Sequence, residues 1–455
     1  MTCALRENIL NFDRPVPRYT SYPTAPHFMP MDDASAYDEW LRGVPEDADL
    51  SLYLHVPFCP KLCWYCGCHT KITQRYAPVE DYAHLMLREI DLLRDVFGGR
   101  RKVGHIHFGG GSPGMLRSCD FSMIMERLQR SFDLQSDVEI AIEVDPRGLS
   151  EGRVAAYAKH GVNRISLGVQ DFNDDVLRAV NREQPFYLTY DAVSLFRGYG
   201  IERINMDLLY GLPLQTPEKM QKTVEQAVLL RPDRVSLFGY AHVPWMKKHM
   251  RLINEGDLPG KALRFDLFEV GTHVLMDAGY EAIGIDHFAR PEDALCDAAR
   301  DRTMRRNFQG YTTDSCGAMI GIGASSIGRL PQGYVQNAVE MPHYETAVLG
   351  GRLPAQKMCP MSAEDVLRGA VIEHLMCFLQ VDVGAVCRDF GVEEHYFDDI
   401  FRDLAIYEAQ GFLTVSDRHI SVHPQARPMT RLVAAAFDSY YSGQVTDAPR
   451  HAKAV

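Results

Sequence analysis

Four of the eleven cysteines fall within ten residues, in the segment HVPFCPKLCWYCGCH. Cys59, Cys63 and Cys66 are spaced C-x3-C-x2-C, and Cys68 follows two residues later. Thiolates are the ligands that iron–sulfur clusters and zinc select. Disulfide frameworks belong mainly to small secreted chains, so this clustering favours a metal centre or a catalytic site.

The spacing leaves a choice between two kinds of metal centre. A closed zinc site normally combines two C-x2-C pairs from separate turns, although four thiolates in one loop could surround a zinc ion. Three thiolates at this spacing fit three corners of an iron–sulfur cubane and leave one iron without a protein ligand. Catalysis needs such an open position. We favour a [4Fe–4S] cluster, with zinc or purely structural cysteines as the alternatives.

The elements that must position this loop are strands that alternate with amphipathic helices. The predicted strands lie in LSLYLHVPF, VGHIHFGGG, EIAIEVDP, RISLGVQDF, RINMDLLYG, RVSLFGYAH and YEAIGIDHF. Their alternation with helices predicts βαβ units and a parallel sheet covered on both faces. Polar residues end nearly every strand, at the edge where β/α folds bind ligands, and the cysteine loop follows the first strand.

Three regions are predicted along the chain. Residues 1–48 form an irregular N-terminal segment, rich in Pro and Tyr, with a short helix near 34–42. Residues 49–355 form the β/α domain. Residues 356–455 form a C-terminal helical module with a hairpin around Ser416–Arg418, which resembles a winged helix. Winged helices often bind DNA, but these helices carry as many acids as bases, so we expect a packing or lid role.

The overall composition excludes some function classes. With 46% hydrophobic and 24% charged residues the chain is typical of globular proteins. A net charge of −12 disfavours sequence-independent binding to nucleic acid. The sequence shows neither a signal-peptide pattern nor an apolar run long enough to span a membrane. We therefore expect a cytoplasmic protein with no nucleic-acid or membrane partner.

Several residues near strand ends could bind a ligand, and each also has a structural explanation. The glycines at 109–111 would let backbone amides approach an anionic group, or would form a tight turn. Glu143 and Asp207 could accept hydrogen bonds from ribose hydroxyls, or cap helices. His55 shares a strand face with Tyr53, which predicts a position near the cysteine loop rather than in the core.

Short motifs in order along nearly the whole chain resemble oxygen-independent coproporphyrinogen III oxidases of the radical S-adenosyl-L-methionine (SAM) superfamily. These motifs are PRYTSYPTA (Pro17–Ala25), LYLHVPFCPKLCWYCGC, HFGGGSP, IEVDPR, GVQDFN, VNREQ, DLLYGLPLQT, YAHVP, DHFARP and RNFQGYTT. The resemblance implies an α/β fold, a partial (β/α)6 TIM-like radical SAM barrel. It also implies one [4Fe–4S] cluster and two bound SAM molecules.

The resemblance also assigns roles to single residues. It implies that Cys59, Cys63 and Cys66 ligate the cluster, whose fourth iron binds SAM, and that Cys68 does not. Tyr53, Tyr65, Gly110 and Glu143 would contact this cluster-bound SAM. The second SAM would meet Gly111, Ser112, Gln170, Arg182, Asp207, Ala241 and Ile327. Taken singly, neither Arg182 nor Gln170 indicates a ligand site. An Arg after a strand, for example, more often pairs with a nearby acidic residue.

The implied reaction is anaerobic oxidative decarboxylation in haem biosynthesis. Cleavage of SAM would give a 5′-deoxyadenosyl radical, and two propionates of coproporphyrinogen III would become the vinyl groups of protoporphyrinogen IX. No conventional acid–base pair is required, so we predict no catalytic side chain. Candidates for binding the propionates are Arg18 and Arg290, with Tyr19 and Tyr22 as hydrogen-bond donors. The expected partner is an electron donor such as flavodoxin or ferredoxin, and the expected oligomeric state is a monomer.

Two departures from the family pattern and two alternative functions accompany this prediction. Ser112 stands where Thr is usual, which keeps the hydroxyl, and Gly239 stands where a larger residue is expected.

A related haem chaperone shares the barrel but lacks both the fourth cysteine and the PRYTSYPTA segment, which are present here. A radical SAM haem methyltransferase is the other alternative.

Overall fold

The architecture is that of a parallel β-sheet wrapped by helices and extended on both sides by antiparallel strands. A computed structural model describes residues 2–441, with the exception of 13, 32 and 34. The parts of the predicted N-terminal segment at 1, 13, 32 and 34, and of the C-terminal module at 442–455, lie outside the described residues. No helix among the described residues is both long and apolar enough to cross a bilayer.

Seven parallel strands form the centre of the main sheet. They are β1 (Leu50–Val56), β2 (Lys102–Gly110), β3 (Asp133–Val144), β4 (Arg164–Gln170), β5 (Arg203–Tyr210), β6 (Arg234–Gly239) and β7 (Ala318–Ile322). Their order in the sheet is β7-β1-β2-β3-β4-β5-β6, and every neighbouring pair is parallel. The first six follow chain order, which confirms the predicted partial (β/α)6 barrel.

Helices cover the outside of the sheet. Those between the parallel strands are Ala77–Phe97, Ser118–Ser131, Glu151–Lys159, Asp174–Ala179, Phe186–Gly198, Pro217–Leu229, Lys261–Asp277 and Ala294–Arg300. All but two of these helices bury apolar residues in the core of the sheet, where Leu52, Leu54 and Ile106 are among the buried strand residues. The exceptions are Asp174–Ala179 and Ala294–Arg300, which contribute buried apolar residues to other clusters. Burial of apolar surface on both faces of the sheet is what the near-continuous apolar strand sequences require.

The seventh predicted strand, YEAIGIDHF, is a hairpin rather than a parallel barrel strand. It consists of two short antiparallel strands, Glu281–Ile283 and His287–Ala289, which continue the sheet beyond β6. Gly284 opens the turn between them with a φ of +53°, and a Cβ there would collide with the ring of Tyr311. The turn needs a left-handed residue without a side chain, so the strand cannot run straight through.

The other edge of the sheet carries an antiparallel extension that the sequence analysis did not predict. The strands Ile327–Leu330, Gly333–Asn337, Ala355–Pro360 and Met29–Pro30 continue outward from β7 in that order. The helix Met341–Leu349 lies between the second and third of them along the chain. Two separate two-stranded sheets pair Phe58–Cys59 with Lys71–Ile72, and Arg305–Asn307 with Gly310–Thr312.

The C-terminal module has the predicted helices and hairpin. The helices are Ala363–Phe378, Val383–Asp389, Asp398–Ala409 and Thr430–Ala435, and the hairpin strands are Leu413–Ser416 and His419–Val422. Asp417 and Arg418 form the hairpin turn, both with positive φ, as tight hairpin turns require. A third strand, Gln380–Asp382, which was not predicted, completes the small sheet.

The N-terminal segment packs against the C-terminal module. It contains the predicted helix, Ser35–Arg42, and a second one, Cys3–Phe12, that the sequence analysis missed. Leu5 and Ile9, one helical turn apart, are buried in a core shared with Leu432 of the last helix. The helix Cys3–Phe12 and the helix Thr430–Ala435 therefore share one core.

Candidate active site

The cysteine loop lies at the carboxyl end of β1 and is fixed at its base and on both flanks. The short strands Phe58–Cys59 and Lys71–Ile72 pair with each other and close the base. On one flank the amide of Trp64 donates to the carbonyl of Val180 at 3.0 Å. These contacts hold the loop although most of it has no regular secondary structure.

A segment that follows β6 holds the other flank of the loop. Lys247 donates from Nζ to the carbonyl of Cys68 at 3.1 Å. His249 lies with Nε2 2.8 Å from the carbonyl oxygen of Cys66. The segment therefore fixes the backbone of the cysteine loop. It also places the side chains of Lys247 and His249 beside the thiols.

Cys59, Cys63 and Cys66 all line one cavity of about 190 Å³, which we call the cysteine cavity. All eleven cysteines, each within the described residues, are free thiols. Burial, with Cys66 and Asp145 nearby, raises the pKa of the Cys59 thiol to about 12. A hydrogen bond from Cys68, together with His249 and Lys247, lowers the pKa of the Cys66 thiol to about 6. Cys66 is thereby biased toward the thiolate, the form that binds metal.

Two arginines surround the sulfur of Cys63. Arg147 donates from Nη2 to the Cys63 sulfur at 3.5 Å, and Arg182 does so from Nη1 at 3.6 Å. Asp145 bridges the pair, 2.6 Å from Arg147 and 3.6 Å from Arg182. Although burial opposes it, these two cations lower the pKa of Asp145. The site thus provides positive charge at a sulfur that would become negative as a ligand.

Polar residues from β3, β4 and β5 line the far wall of the cysteine cavity. Glu143 accepts from the amide of Gly110 at 3.2 Å and lies 3.2 Å from His107 Nε2. Asp207 accepts from Ser166 at 3.0 Å and from Asn205 at 2.8 Å. Burial and the nearby Glu143 raise the pKa of Asp207. Two carboxyl groups, one from β3 and one from β5, therefore line the same cavity as the thiols.

The three glycines at the end of β2, at 109–111, are required by close packing inside the protein. A Cβ on residue 109 would lie 2.8 Å from Glu143, and one on residue 111 would lie 2.8 Å from the Phe58 carbonyl oxygen. Gly110 has a φ of +114°, and a Cβ there would lie 2.6 Å from the His55 ring. The amide of Gly111 donates to the Val56 carbonyl at 2.9 Å. The amides of residues 110 and 111 thus donate to acceptors within the protein, the Glu143 carboxylate and the Val56 carbonyl.

Comparison with known proteins agrees with this geometry. The model of the radical SAM superfamily matches residues 53–227. The oxygen-independent coproporphyrinogen III oxidase of Bradyrhizobium diazoefficiens is 46% identical over 425 residues, covering 93% of this chain and 94% of that one. The enzyme of the same name from Paracoccus denitrificans is 40% identical over 429 residues, 94% of this chain and 95% of that one. The chain belongs to this family.

A solved structure extends the comparison to the fold. The coproporphyrinogen III oxidase of Escherichia coli, a radical SAM enzyme, superposes with a TM-score of 0.89 at 35% identity. The match covers 93% of this chain and 98% of that chain. The barrel, the antiparallel extension and the C-terminal module are thus family features.

Most of the predicted site residues line the cysteine cavity together. They are the three predicted ligands, Cys59, Cys63 and Cys66, with Tyr65, Gly110, Gly111, Glu143, Gln170, Arg182 and Asp207. Gln170 has a φ of +73°, the left-handed region that a residue with a side chain seldom adopts. This strained backbone at the end of β4 is the kind of feature that persists at functional sites.

Four predicted residues do not line this cavity. Tyr53 lies behind its wall, with its hydroxyl 3.1 Å from His55 Nδ1. Ser112 is buried, and its amide donates to the Phe58 carbonyl at 2.8 Å. Ala241 lines a second cavity, and Ile327 packs against the buried cluster that includes Phe28 and Tyr334. The predicted contacts with SAM stay predictions for these four residues and equally for the seven that line the cavity.

The second cavity is larger, about 280 Å³, and we call it the arginine cavity after Arg18, Arg264, Arg306 and Arg431, which line it. Of the predicted propionate-binding residues, only Arg18 lies there. Arg290 pairs with Glu292 at 3.3 Å and lines neither cavity.

The two predicted tyrosine donors have partners within the protein. Tyr19 donates to Asp438 at 3.0 Å, and the hydroxyl of Tyr22 lies 3.0 Å from that of Ser439. The structure therefore uses both tyrosines to attach the N-terminal segment to the end of the C-terminal module.

Sequence reasoning missed the four residues nearest the cysteine loop that supply charge. Asp145 and Arg147 belong to the motif IEVDPR directly after β3, and their position at a strand end was a signal that could have identified them. Lys247 and His249 reach the loop from about 180 residues away in the chain. No local pattern marks such a contact, because it depends on how the segment after β6 folds back.

The residues of the cysteine cavity fit an iron–sulfur cluster better than a zinc ion. Among the described residues, no three or more His, Cys, Asp or Glu side chains surround a common point as a single metal ion requires. A cubane instead takes one thiolate at each ligated iron, and its ligands lie correspondingly farther apart. Four free thiols line this cavity, because Cys68 lies there beside the three predicted ligands. Two guanidinium groups at the sulfur of Cys63 agree with a cluster ligated by thiolates.

Proposed function

We propose that this chain catalyses the anaerobic oxidative decarboxylation of two propionates of coproporphyrinogen III, giving protoporphyrinogen IX in haem biosynthesis. The observation that best supports this function is that the three predicted cluster ligands line one cavity together with Glu143 and Asp207. Each propionate loses one hydrogen atom, CO2 and one electron as its two remaining carbons become a vinyl group. The electron must leave to an acceptor, so the enzyme is an oxidoreductase.

Members of this radical SAM family carry a [4Fe–4S] cluster and use SAM. When bound, the cluster and SAM supply a one-electron cleavage that yields a 5′-deoxyadenosyl radical. Cys59, Cys63 and Cys66 hold the cluster in this proposal, and Arg147 and Arg182 stabilise negative charge on Cys63. The protein's own contribution is to bind, orient and shield the reacting groups.

The residues on the cavity wall support two SAM molecules side by side. The first contacts Tyr53, Tyr65, Gly110 and Glu143 in this proposal. The second contacts Gly111, Ser112, Gln170, Arg182, Asp207, Ala241 and Ile327. Because seven of these eleven residues line the cysteine cavity, the cavity has polar groups for at least the parts of SAM nearest the cluster. Ala241 lines the neighbouring cavity, so a second molecule that meets it must reach across the strand ends of β5 and β6.

Several finer features belong to the same proposal. A flavodoxin or ferredoxin supplies the electron that reduces the cluster, and the protein acts as a monomer. Lys247 and the exposed Lys248 beside the cysteine loop would suit an acidic electron donor. The cytoplasmic location stays a prediction from the sequence.

One assay tests the activity. The protein is reconstituted with iron and sulfide without oxygen and given SAM, a reductant and coproporphyrinogen III. Chromatography then measures tetrapyrroles and 5′-deoxyadenosine. We expect protoporphyrinogen IX and a matching yield of deoxyadenosine. Tight haem binding without a new vinyl product would indicate the chaperone function instead, and methyl transfer to haem would indicate the methyltransferase.

A further inference from the structure

The arginine cavity lies beside the cysteine cavity at the carboxyl edge of the barrel. Asp207 of β5 lines the cysteine cavity, and Tyr210, three residues later on the same strand, lines the arginine cavity. The other walls come from the N-terminal segment, through Arg18, and from the last helix, through Arg431. A ligand of sufficient size could therefore occupy both cavities at once.

The charge of the arginine cavity is strongly positive. Four guanidinium groups line it, and Asp286 is the one carboxylate among its described lining residues. Asp286 is already paired, 2.7 Å from His287 Nδ1 and 3.8 Å from Arg306. Among the described residues that line it, the cavity therefore holds more positive than negative charge, although the whole chain carries −12.

One of the four arginines is buried without enough hydrogen-bond acceptors. Arg306 is 9% exposed, and its Nε and Nη1 are buried atoms with no hydrogen-bond partner in the part of the chain that the structure describes. Its nearest charge is Asp286 at 3.8 Å, beyond hydrogen-bonding distance, and its guanidinium lies over the Tyr311 ring. A buried guanidinium with unused donors is costly, and an anion in the cavity would supply the missing acceptor.

The arginines also repel one another. Burial lowers the pKa of Arg431 to about 10, and the charges of Arg18 and Arg306 contribute to the shift. The same two cations, with the His287 hydrogen bond, lower the pKa of Asp286 to about 2 although its burial acts in the opposite direction. Both shifts indicate a site where added negative charge would be stabilised.

Two glycines make room for Arg264 in the wall of the cavity. A Cβ on Gly211 would overlap the guanidinium of Arg264, and a Cβ on Gly239 would lie 3.3 Å from its Nη2 and 2.9 Å from the Tyr210 hydroxyl. Arg264 donates to the Tyr240 carbonyl at 2.9 Å, which fixes its head at the cavity. Gly239, where a larger residue was expected, thus leaves space for this arginine.

We propose that Arg18, Arg264, Arg306 and Arg431 form a carboxylate subsite that holds the propionates of the tetrapyrrole that are not decarboxylated. This inference rests on the proposed function, because it assumes that the reacting propionate lies in the cysteine cavity. The arginine cavity then anchors the opposite side of the macrocycle. A charge-assisted hydrogen bond from each arginine would orient the ring relative to the cofactors.

SAM also has a carboxylate, so the test must separate the two sources. Coproporphyrin III and mesoporphyrin IX serve as stable, fluorescent probes. Both carry the two propionates that the reaction leaves intact, and only the first carries the two that react. Binding of each probe to the reconstituted protein with SAM is measured by fluorescence. SAM binding without porphyrin is measured separately by calorimetry.

The test variants are Arg18→Gln and Arg264→Gln, with Arg300→Gln as the matched control. Arg300 is an exposed arginine that pairs with Glu281 and Asp297, outside both cavities. We expect either test variant to weaken the binding of both porphyrins by about tenfold to hundredfold. This is the range for loss of one charge-assisted hydrogen bond. The control should bind both porphyrins like the wild type, and iron content should be unchanged in all three.

Other outcomes would overturn the subsite. Wild-type affinity of both variants for mesoporphyrin IX would show that the cavity does not hold the retained propionates. Weaker binding of SAM with unchanged porphyrin binding would assign the cavity to SAM. Because these are binding measurements, they stand apart from the proposed function, whose failure would show as a wild-type protein that forms no vinyl product.

Discussion

Arg147 donates a hydrogen bond to the sulfur of Cys63 across 3.5 Å while the same guanidinium holds Asp145 at 2.6 Å. The carboxylate fixes the arginine, and the arginine places a positive charge at the sulfur of one proposed cluster ligand. Hydrogen bonds to ligand sulfurs and local charge are among the features that set the reduction potential of iron–sulfur clusters. The motif after β3 therefore has a role beyond the geometry of the barrel.

We expect Arg147→Gln to lower the reduction potential of the reconstituted cluster by an amount on the order of tens of millivolts. The reduced cluster is the more negative state, so it is stabilised less when the cation is removed. A redox titration followed by electron paramagnetic resonance measures the potential. Arg153→Gln is the control, because Arg153 donates to the Gly148 carbonyl on the surface. An unchanged potential in Arg147→Gln with full iron content would remove this role.

Replacement of Cys59, Cys63 or Cys66 by Ser should abolish both iron binding and deoxyadenosine formation. Each of the three lines the cavity and supplies one thiolate in the proposed cluster. Cys68→Ser is the matched control from the same loop and should keep its iron. Iron analysis and chromatography after anaerobic reconstitution provide the two measurements. Full turnover in any of the three ligand variants contradicts the assignment.

Gly110→Ala should reduce stability by about 1–3 kcal/mol, the cost of a strained backbone conformation. The residue has a φ of +114°, and its new Cβ would meet the His55 ring at 2.6 Å. We also expect weaker SAM binding, since the displaced segment lines the cysteine cavity. Gly99→Ala, where a Cβ would meet nothing within 4 Å, should behave like the wild type. Thermal unfolding and calorimetry measure the two effects, and equal behaviour of both variants would refute the argument.

Glu89 should make the protein less stable as the pH rises from about 4.5 to 7. Burial raises the pKa of this carboxyl to about 7, although Tyr344, Gly323 and Asn337 donate hydrogen bonds to it. The folded state therefore binds the proton more tightly than the unfolded state. The resulting stabilisation is complete below the unfolded pKa and is lost as the pH passes the folded one.

The Glu89→Gln variant lacks this titration, so the wild type should lose up to about 3 kcal/mol relative to it across that range. Thermal unfolding at several pH values measures the difference. Glu80→Gln, an exposed position on the same helix, should track the wild type at every pH. A difference between wild type and Glu89→Gln that does not vary with pH would contradict the prediction.

The sequence allowed prediction of the features that depend on local patterns. Strand and helix periodicity predicted the six barrel strands. The cysteine spacing predicted that Cys59, Cys63 and Cys66 ligate one metal centre, and the three residues do line one cavity. The hairpin at YEAIGIDHF was missed because the segment is short, rich in apolar residues and similar in composition to the six parallel strands. Only the turn at Gly284, packed against a distant tyrosine, separates the two halves.

Contacts between distant parts of the chain could not be predicted in this way. Arg431 reaches the arginine cavity from the last helix, and Arg18 reaches it from the N-terminal segment. His249 contacts the cysteine loop only because the segment after β6 folds back over it. Ala241 follows β6 as expected, yet it lines the arginine cavity and not the cysteine cavity.

The central claim is that three thiolates leave one iron of the cluster free to bind SAM. Mössbauer spectroscopy of anaerobically reconstituted, isotopically enriched protein tests it most directly. We predict four irons per chain, one of which changes its spectrum when SAM is added, both in the wild type and in Cys68→Ser. A protein without iron, or a cluster whose four irons are all unaffected by SAM, would contradict the account.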